Sequence, residues 1–303
     1  MTPVISVAGL TRRYRGQVAL DHVTLDIEPG SITGLLGRNG AGKTTFLRIL
    51  AGHEFASAGT VTVLGACPVE NGKVLRQVVF VREDQSYPDL RVRRAVQTAS
   101  WFYPNWSHEL AGTLLEEFDL PLDRKVRKLS RGMRSALGIV IGLAARAEVT
   151  LFDEPYAGLD PVARQLFYDW LLADYAEHPR TVLLSTHLID EAAGLLEKVV
   201  VIDRGRIVLN TDADDLRGAA TSVSGPAIAV AEFTAGRSVW DRRRIASQES
   251  AVVAGALDET DRARAAALHL RLEPLTLQQL VVRAAGGPAA GPAEKMSAER
   301  TSA

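Results

Sequence analysis

The spacing of apolar residues predicts a chain in which strands and helices alternate. Partial alternation of Val, Ile and Leu predicts strands over residues 4–10 and 18–27. Continuous apolar runs are typical of strands that are buried on both faces. Such runs occupy residues 32–36, 78–81, 149–152 and 181–185, and a further strand is predicted over residues 59–65. The pattern therefore indicates an α/β fold.

A mainly helical segment is predicted from about residue 88 to residue 147. Apolar residues at helical spacing mark two helix faces, one formed by Val92, Ala95, Val96, Ala99 and Phe102 and the other by Leu110, Leu114 and Phe118. The aromatic cluster at residues 101–106 contains two of the four tryptophans. We expect this cluster to pack in the core rather than to form a groove for a partner.

Three parts are predicted along the chain: a first domain over residues 1–217, a small accessory domain over residues 218–285, and a disordered tail over residues 286–303 that is rich in Gly, Pro and Ala. The accessory domain begins with small and polar residues, 218–226, that are typical of a linker. Within its α/β lobe, residues 227–233 are predicted as a strand and residues 275–284 as a helix.

Composition narrows the range of functions. A net charge of −1 argues against a globally basic surface for nucleic acid. The single cysteine, Cys67, excludes an internal disulfide framework and a cysteine-based zinc cluster. The longest strongly apolar stretch, at about residues 136–147, is shorter than the roughly 20 residues that a membrane helix needs. We therefore expect no membrane span in this chain, and no secretory signal opens it.

One loop indicates a specific chemistry. Residues 37–44 have the sequence Gly-Arg-Asn-Gly-Ala-Gly-Lys-Thr and lie between an apolar strand and a segment with helical spacing. In that context the glycines let successive N–H groups face a phosphate, assisted by the positive end of the helix dipole. Lys43 is then expected to contact the β- and γ-phosphates, and Thr44 to ligate Mg²⁺. The alternative is a turn that only closes a strand–helix connection.

Polar residues follow two of the buried strands. Ligands of open α/β sheets lie at the carboxyl ends of the strands, so Asp153 is expected near Mg²⁺ and Glu154 near an attacking water. His187 lies at the carboxyl end of the strand at residues 181–185, so it is expected near the same ligand. Tyr14 lies between the first two strands, where its ring either stacks on a purine or packs inside a hairpin.

Taken in order, these motifs resemble the nucleotide-binding subunit of the ATP-binding cassette (ABC) superfamily, in its prokaryotic exporter-like form, over about residues 4–217. The loop resembles the Walker A motif, and Asp153 with Glu154 resembles Walker B and its catalytic glutamate. Residues 129–133, Leu-Ser-Arg-Gly-Met, stand where the signature LSGGQ belongs. Asp160 matches the D-loop, which contacts the other subunit, and His187 matches the switch histidine.

The resemblance implies a role for each matched residue. The implied ATP-binding residues are Tyr14, Gly37, Arg38, Asn39, Gly40, Ala41, Gly42, Lys43, Thr44 and Thr45. Glu154 and His187 are implied to be catalytic, and Thr44 and Asp153 to hold Mg²⁺. Ser130 and Gly132 are implied to contact the ATP that is held by the other subunit. From its position before an apolar helix, Ser130 is equally suited to cap that helix.

The resemblance also implies an architecture and a function. The fold is expected to be a P-loop NTPase (RecA-like) core with an antiparallel β subdomain, a helical signature subdomain and a small C-terminal α/β lobe. The implied function is ATP hydrolysis, with ATP and Mg²⁺ as cofactors, that powers transport through separate transmembrane permease subunits. The chain is expected to work as a homodimer or heterodimer of cassettes at the cytoplasmic face of the cell membrane, attached through those subunits.

Two positions depart from the family pattern. Arg131 and Met133 replace the first glycine and the glutamine of the signature. At the Q-loop, alignment of the strand at residues 78–81 places Glu83 at the glutamine position, whereas Gln85 lies two residues later. We assign the Q-loop glutamine to Gln85, with Glu83 as the alternative.

Two other function classes fit the sequence less well than transport does. Soluble cassette ATPases that act on nucleic acid or ribosomes carry two cassettes or a long coiled-coil insertion, whereas this chain has one cassette and an insertion too short for sustained heptads. We therefore expect no nucleic-acid partner. A P-loop kinase or GTPase is disfavoured by Ser130 and His187 at these positions.

Overall fold

The structure is a computed structural model that describes residues 2–286, and the chain divides into two compact units between Asn210 and Thr211. The strands of the first unit are β1 (Ile5–Tyr14), β2 (Gln17–Ile27), β3 (Ile32–Leu36), β4 (Ala58–Val63), β5 (Val78–Arg82), β6 (Val149–Asp153), β7 (Thr181–Thr186), β8 (Lys198–Asp203) and β9 (Arg206–Asp212). Its helices are α1 (Lys43–Leu50), α2 (Gly72–Leu75), α3 (Val92–Ser100), α4 (His108–Glu117), α5 (Arg131–Ala144), α6 (Pro161–Glu177) and α7 (Ile189–Ala192).

A six-stranded sheet with the order β5-β6-β7-β3-β8-β9 forms the centre of the first unit. In this order, β5, β6, β7, β3 and β8 pair in parallel with one another. Every residue of β3, β6 and β7 is buried, as the continuous apolar runs predict. A doubly covered parallel sheet of this kind places the carboxyl ends of its strands at one edge.

The second sheet has three antiparallel strands in the order β2-β1-β4. Its inner face joins α1 and the central sheet in one core cluster, which includes the fully buried Ile5, Leu20 and Phe46. Ala41, in the segment between β3 and α1, belongs to the same cluster. The predicted strands at residues 4–10 and 18–27 are thus confirmed, although β1 continues to Tyr14.

The helical segment predicted over residues 88–147 contains α3, α4, a 3₁₀ turn at Val126–Lys128, and α5. The core position predicted for its aromatic cluster is wrong for two members, since Trp101 and Phe102 are 65% and 58% exposed. The reason is that α3 ends at Ser100. The two rings therefore leave the helical spacing that buries Val92 and Val96.

The second unit is built on a four-stranded antiparallel sheet with the order β11-β12-β10-β13. Its elements are α8 (Ala213–Leu216), β10 (Ala220–Pro226), α9 (Ala227–Thr234), β11 (Val239–Ile245), β12 (Gln248–Ala254), α10 (Glu259–Ala267), β13 (Arg271–Pro274) and α11 (Leu277–Gly286). The helix predicted at residues 275–284 is confirmed as α11. The predicted tail begins inside α11 at Gly286, and residues 287–303 lie outside the described residues.

Two predictions for this unit are wrong. Residues 218–226 are not a linker, because most of them form β10, a strand paired on both sides. Residues 227–233 are not a strand but helix α9, which buries Val230 and Phe233 at a spacing of i and i+3. A short apolar run has no clear period, so strand and helix are indistinguishable until the neighbours are known.

Among residues 2–286, no helix combines the length and the apolar character that crossing a bilayer requires.

Candidate functional site

Four parallel strands of the central sheet have their carboxyl ends side by side. Arg82 of β5 pairs with Asp153 of β6, which in turn pairs with Ser185 of β7. Ser185 pairs with Leu35 of β3. The residues that directly follow these strands therefore lie along one edge of the sheet, and they include Glu83, Glu154, His187 and the loop at residues 37–42.

The loop between β3 and α1 passes so close to neighbouring backbone that two of its glycines are required. A Cβ atom on Gly37 (φ 152°) would lie 2.2 Å from the carbonyl oxygen of Ile202. A Cβ atom on Gly42 (φ 113°) would lie 2.6 Å from the carbonyl oxygen of Ala19. Gly42 is also the N-cap of α1, and it has no side chain that could cap the first-turn N–H groups. This geometry suits an anion at the helix start.

Lys43 lies inside the loop, with its side chain buried at 6% exposure. Its ammonium donates a hydrogen bond to the carbonyl oxygen of Gly37 over 2.7 Å. Burial lowers the pKa of Lys43, while the negative charges of Glu154 and Asp153 act in the opposite direction. The sheet edge therefore brings one buried cation close to two carboxylates.

Asp153 fits a divalent cation by its own chemistry. The residue is buried, and its Oδ1 has no hydrogen-bond partner among the described residues. An orphaned carboxylate oxygen is the kind of ligand that Mg²⁺ takes, and Thr44, in the first turn of α1, carries the hydroxyl that would accompany it. Residues 2–286 contain no cluster of three His, Cys, Asp or Glu side chains that would hold a metal ion alone.

Glu154 is held at the edge by both its backbone and its side chain. Its φ of 49° lies in the left-handed region, which an L-residue occupies at a cost of about 1–3 kcal/mol where the surroundings require it. Its N–H donates to the carbonyl oxygen of Ser185 over 3.2 Å. His187 Nδ1 lies 2.7 Å from Glu154 Oε2, so the structure brings together the two residues predicted to be catalytic.

Tyr14 lies at the end of β1, and 42% of it is exposed. The guanidinium of Arg12 lies 4.6 Å from the centroid of its ring, and its hydroxyl is hydrogen-bonded to Glu54. The ring is therefore held at the surface by a cation and a carboxylate. Purine stacking on this ring stays a prediction.

The first turn of α5 contains the two signature residues. Ser130 is the N-cap of α5, and its Oγ accepts a hydrogen bond from the N–H of Met133 over 3.1 Å. A Cβ atom on Gly132 would lie 2.5 Å from the carbonyl oxygen of Gly158. Gly132 is therefore required so that the helix start can pack against the segment after Glu154. The serine hydroxyl caps the helix and still has its own proton to donate.

The two departures from the family pattern contact each other. The guanidinium of Arg131 forms an ion pair with the carboxylate of Glu83, the first residue after β5. Gln85 is folded back on its own loop, where its Oε1 accepts a hydrogen bond from the N–H of Arg82 over 3.2 Å. The assignment of the Q-loop glutamine to Gln85 stays a prediction.

Asp160 caps the next helix. It is the N-cap of α6, its Oδ1 accepts a hydrogen bond from the N–H of Ala163 over 2.9 Å, and Pro161 occupies the first helical position. The local sequence explains this geometry completely. A contact between Asp160 and a second subunit stays a prediction.

Comparison with known proteins places this geometry in a family. Residues 20–157 match the sequence model of the family described as ABC transporter. The Nod factor export ATP-binding protein I of Cupriavidus metallidurans is 34% identical over 213 residues, which are 68% of this chain and 70% of that protein. This chain belongs to the ABC transporter family.

Two solved structures agree with the ABC fold. An ATP-binding subunit of an ABC transporter has a TM-score of 0.64 at 26% identity, and the match covers 71% of this chain and 92% of that one. The dimeric structure of MJ0796, a bacterial ABC transporter cassette, has a TM-score of 0.60 at 23% identity, with coverages of 69% and 98%. The resemblance inferred from the sequence and the P-loop NTPase fold are confirmed, and so is the assignment of the chain as an ATP-binding ATPase subunit.

One residue at the sheet edge of this ABC subunit is not among the residues predicted from the sequence. Tyr156 is buried, and its hydroxyl is hydrogen-bonded to both Glu154 and Thr186. An aromatic residue two positions after Glu154 was the available signal, but its contact with Thr186 spans 30 residues. Spacing alone does not reveal such a contact.

Proposed function

We propose that this chain is the ATPase subunit of an exporter-type transporter and that two cassettes close on two molecules of ATP. The observation that carries the proposal is the convergence at one sheet edge of the buried Lys43, the partnerless Oδ1 of Asp153, and the Glu154–His187 pair. These are the groups that phosphoryl transfer to water requires.

The binding step rests on the loop and on Lys43. The N–H groups at the start of α1 and the ammonium of Lys43 bind the phosphates of ATP, and Tyr14 stacks on its adenine. Thr44 and Asp153 would hold Mg²⁺, which neutralises charge on the phosphates when it is bound.

The hydrolytic step rests on Glu154. Its carboxylate orients the attacking water and accepts a proton from it, a contribution of typically ~10²–10⁴-fold. His187 holds one carboxylate oxygen of Glu154, as the 2.7 Å separation of the two side chains indicates.

A second cassette completes the site. Ser130 and Arg131 are exposed at the first turn of α5, and Gly132 packs this turn on the segment that leads to Asp160. The Ser130 hydroxyl would then donate to the γ-phosphate held by the other subunit, with Asp160 at the dimer contact. The dimeric cassette among the structural neighbours supports this arrangement.

The transport role rests on family membership and on the exporter relative. The chain would attach to separate transmembrane permease subunits and act at the cytoplasmic face of the membrane. Dimer closure on ATP and reopening after hydrolysis would pull on those subunits.

Replacement of Glu154 by Gln tests the proposal, because glutamine keeps the shape of the side chain but removes its charge. Turnover should fall by about 10²–10⁴-fold while ATP binding is retained. With ATP and Mg²⁺, the variant should elute as a dimer in size-exclusion chromatography with light scattering. The control, Glu154→Gln combined with Lys43→Ala, should remain a monomer. If Glu154→Gln hydrolysed ATP at the wild-type rate, Glu154 would be excluded as the base. If the variant bound ATP but stayed a monomer, closure of the dimer on ATP would be excluded.

A further inference from the structure

Tyr156 is a buried polar residue that the mechanism above does not use. It is only 3% exposed, and its ring packs between Tyr168 and His187, with centroid separations of 6.3 and 6.2 Å. Its hydroxyl lies 2.5 Å from Glu154 Oε2 and is also hydrogen-bonded to Thr186 Oγ1. A phenol in this position touches the carboxylate that is proposed to activate water.

The donors and acceptors in this contact follow a single direction. An ionised carboxylate only accepts, so the Tyr156 hydroxyl donates to Glu154. The Thr186 hydroxyl must then donate to the oxygen of Tyr156. Thr186 Oγ1 itself accepts from the N–H of Leu188 over 2.9 Å. The result is a chain of hydrogen bonds from the backbone after β7 to the side chain of Glu154.

Protonation keeps Tyr156 a donor. Burial, above all, raises the pKa of the Tyr156 phenol, and the neighbouring negative charge of Glu154 raises it further. The hydroxyl therefore retains its proton throughout the physiological range.

Both donors reach the same oxygen of Glu154. Tyr156 and His187 are each hydrogen-bonded to Oε2. Among residues 2–286, no hydrogen bond reaches Oε1. The two donors differ in rigidity, because the side chain of His187 is 57% exposed whereas Tyr156 is enclosed. The tyrosine is thus the fixed member of the pair.

We propose that Tyr156 is a positioning residue for the ATPase reaction: it holds Oε2 of Glu154 so that Oε1 is the oxygen presented to the attacking water. The hydrogen bond also ties the carboxylate to Thr186 and so to the segment that carries His187. This inference rests on the proposed function, in which Glu154 is the base.

Replacement of Tyr156 by Phe tests the inference, because phenylalanine keeps the ring and removes only the hydroxyl. The kcat should fall by roughly 10- to 100-fold, the change expected when one hydrogen bond to a charged group is lost. KM and the affinity for a fluorescent ATP analogue should stay within about twofold, since Lys43 and the loop are untouched.

Tyr168→Phe is the matched control. Tyr168 is a buried neighbour of Tyr156, but its hydroxyl has no hydrogen-bond partner among the described residues. Its removal should therefore leave kcat and the melting temperature nearly unchanged. An equal fall of kcat in both variants would assign the effect to packing and overturn the inference.

A double-mutant cycle with Glu154→Gln separates positioning from a general structural effect. If Tyr156 acts through the carboxylate, Tyr156→Phe should change the residual single-turnover rate of Glu154→Gln by less than about twofold. If Tyr156→Phe lowered the rate in the Glu154→Gln background as much as in the wild-type background, the inference would be overturned. If Tyr156→Phe kept the wild-type kcat while Glu154→Gln was inactive, only the role of Tyr156 would be refuted. If Glu154→Gln was itself active, the proposed function would be refuted.

Discussion

The sheet edge around Lys43 and the first turn of α5 around Ser130 belong to the same unit but are built differently. At the edge, the side chains of Lys43, Asp153 and Tyr156 are buried. Two side chains there, those of Tyr156 and His187, donate hydrogen bonds to the carboxylate of Glu154. At the start of α5, Ser130 and its neighbour Arg131 are exposed. The edge is therefore held by contacts within its own unit, whereas the turn is accessible to the proposed second subunit.

The charged residues of the two regions also differ in burial. Lys43 is buried, and the negative charges of Glu154 and Asp153 act on its pKa in a setting where electrostatic interactions are strong. Arg131 pairs with Glu83 at the surface, where such pairs contribute about 0–1 kcal/mol. Substitutions at the edge should therefore abolish ATP binding or hydrolysis in the subunit that carries them, whereas substitutions at the turn should act on the site of the other subunit.

The largest effect is expected for Lys43→Ala. The loss of a buried cation that faces several phosphate charges should weaken ATP binding by more than about 100-fold, as measured by isothermal titration calorimetry. Lys73→Ala, at an exposed position in α2, is the control and should bind ATP like the wild type. Normal binding by Lys43→Ala would remove the phosphate role of the loop.

Mixing variants tests whether the turn serves another subunit. Ser130→Arg and Lys43→Ala should each be inactive alone, but mixed dimers retain one intact composite site. An equal mixture should recover at most about a quarter of the wild-type ATPase rate, because half of the dimers are mixed and each keeps one of two sites. No recovery in dimers shown by light scattering to be mixed would contradict a shared site.

Gly132→Ala tests the packing of the turn on the edge. Its Cβ would meet the carbonyl oxygen of Gly158 at 2.5 Å, so the start of α5 must shift. We expect a loss of about 1–3 kcal/mol in the free energy of unfolding by urea, together with lower ATPase activity. Gly112→Ala in α4 is the control, since no atom of the described residues lies within 4 Å of its Cβ. This variant should gain up to about 1 kcal/mol in the free energy of unfolding. Equal effects at the two glycines would refute the packing argument.

The smallest effect is expected for the Arg131–Glu83 pair. A double-mutant cycle with Arg131→Ala and Glu83→Gln should give a coupling of about 0.2–1 kcal/mol in urea unfolding, and the coupling should shrink in high salt. A coupling of several kcal/mol that salt leaves unchanged would mean that the turn is as firmly built as the edge.

The sequence was sufficient for the parts in which residues close along the chain decide the structure. The loop at residues 37–44 and the buried strand before Asp153 carry their own patterns, and the edge positions of Glu154 and His187 follow from where β6 and β7 end. It was insufficient for Trp101 and Phe102, whose exposure depends on where α3 ends, and for residues 218–233, where short runs have no clear period.

By itself, the sequence determined the order of the motifs and hence the family, because glycine spacing and apolar runs act through the local backbone. Only the tertiary structure decided which side chains share a contact. Tyr156 meets Thr186, Arg131 meets Glu83, and Gly132 meets Gly158, each across a long stretch of chain. The physical reason is that such contacts depend on sheet register and helix packing, in which many distant residues act together.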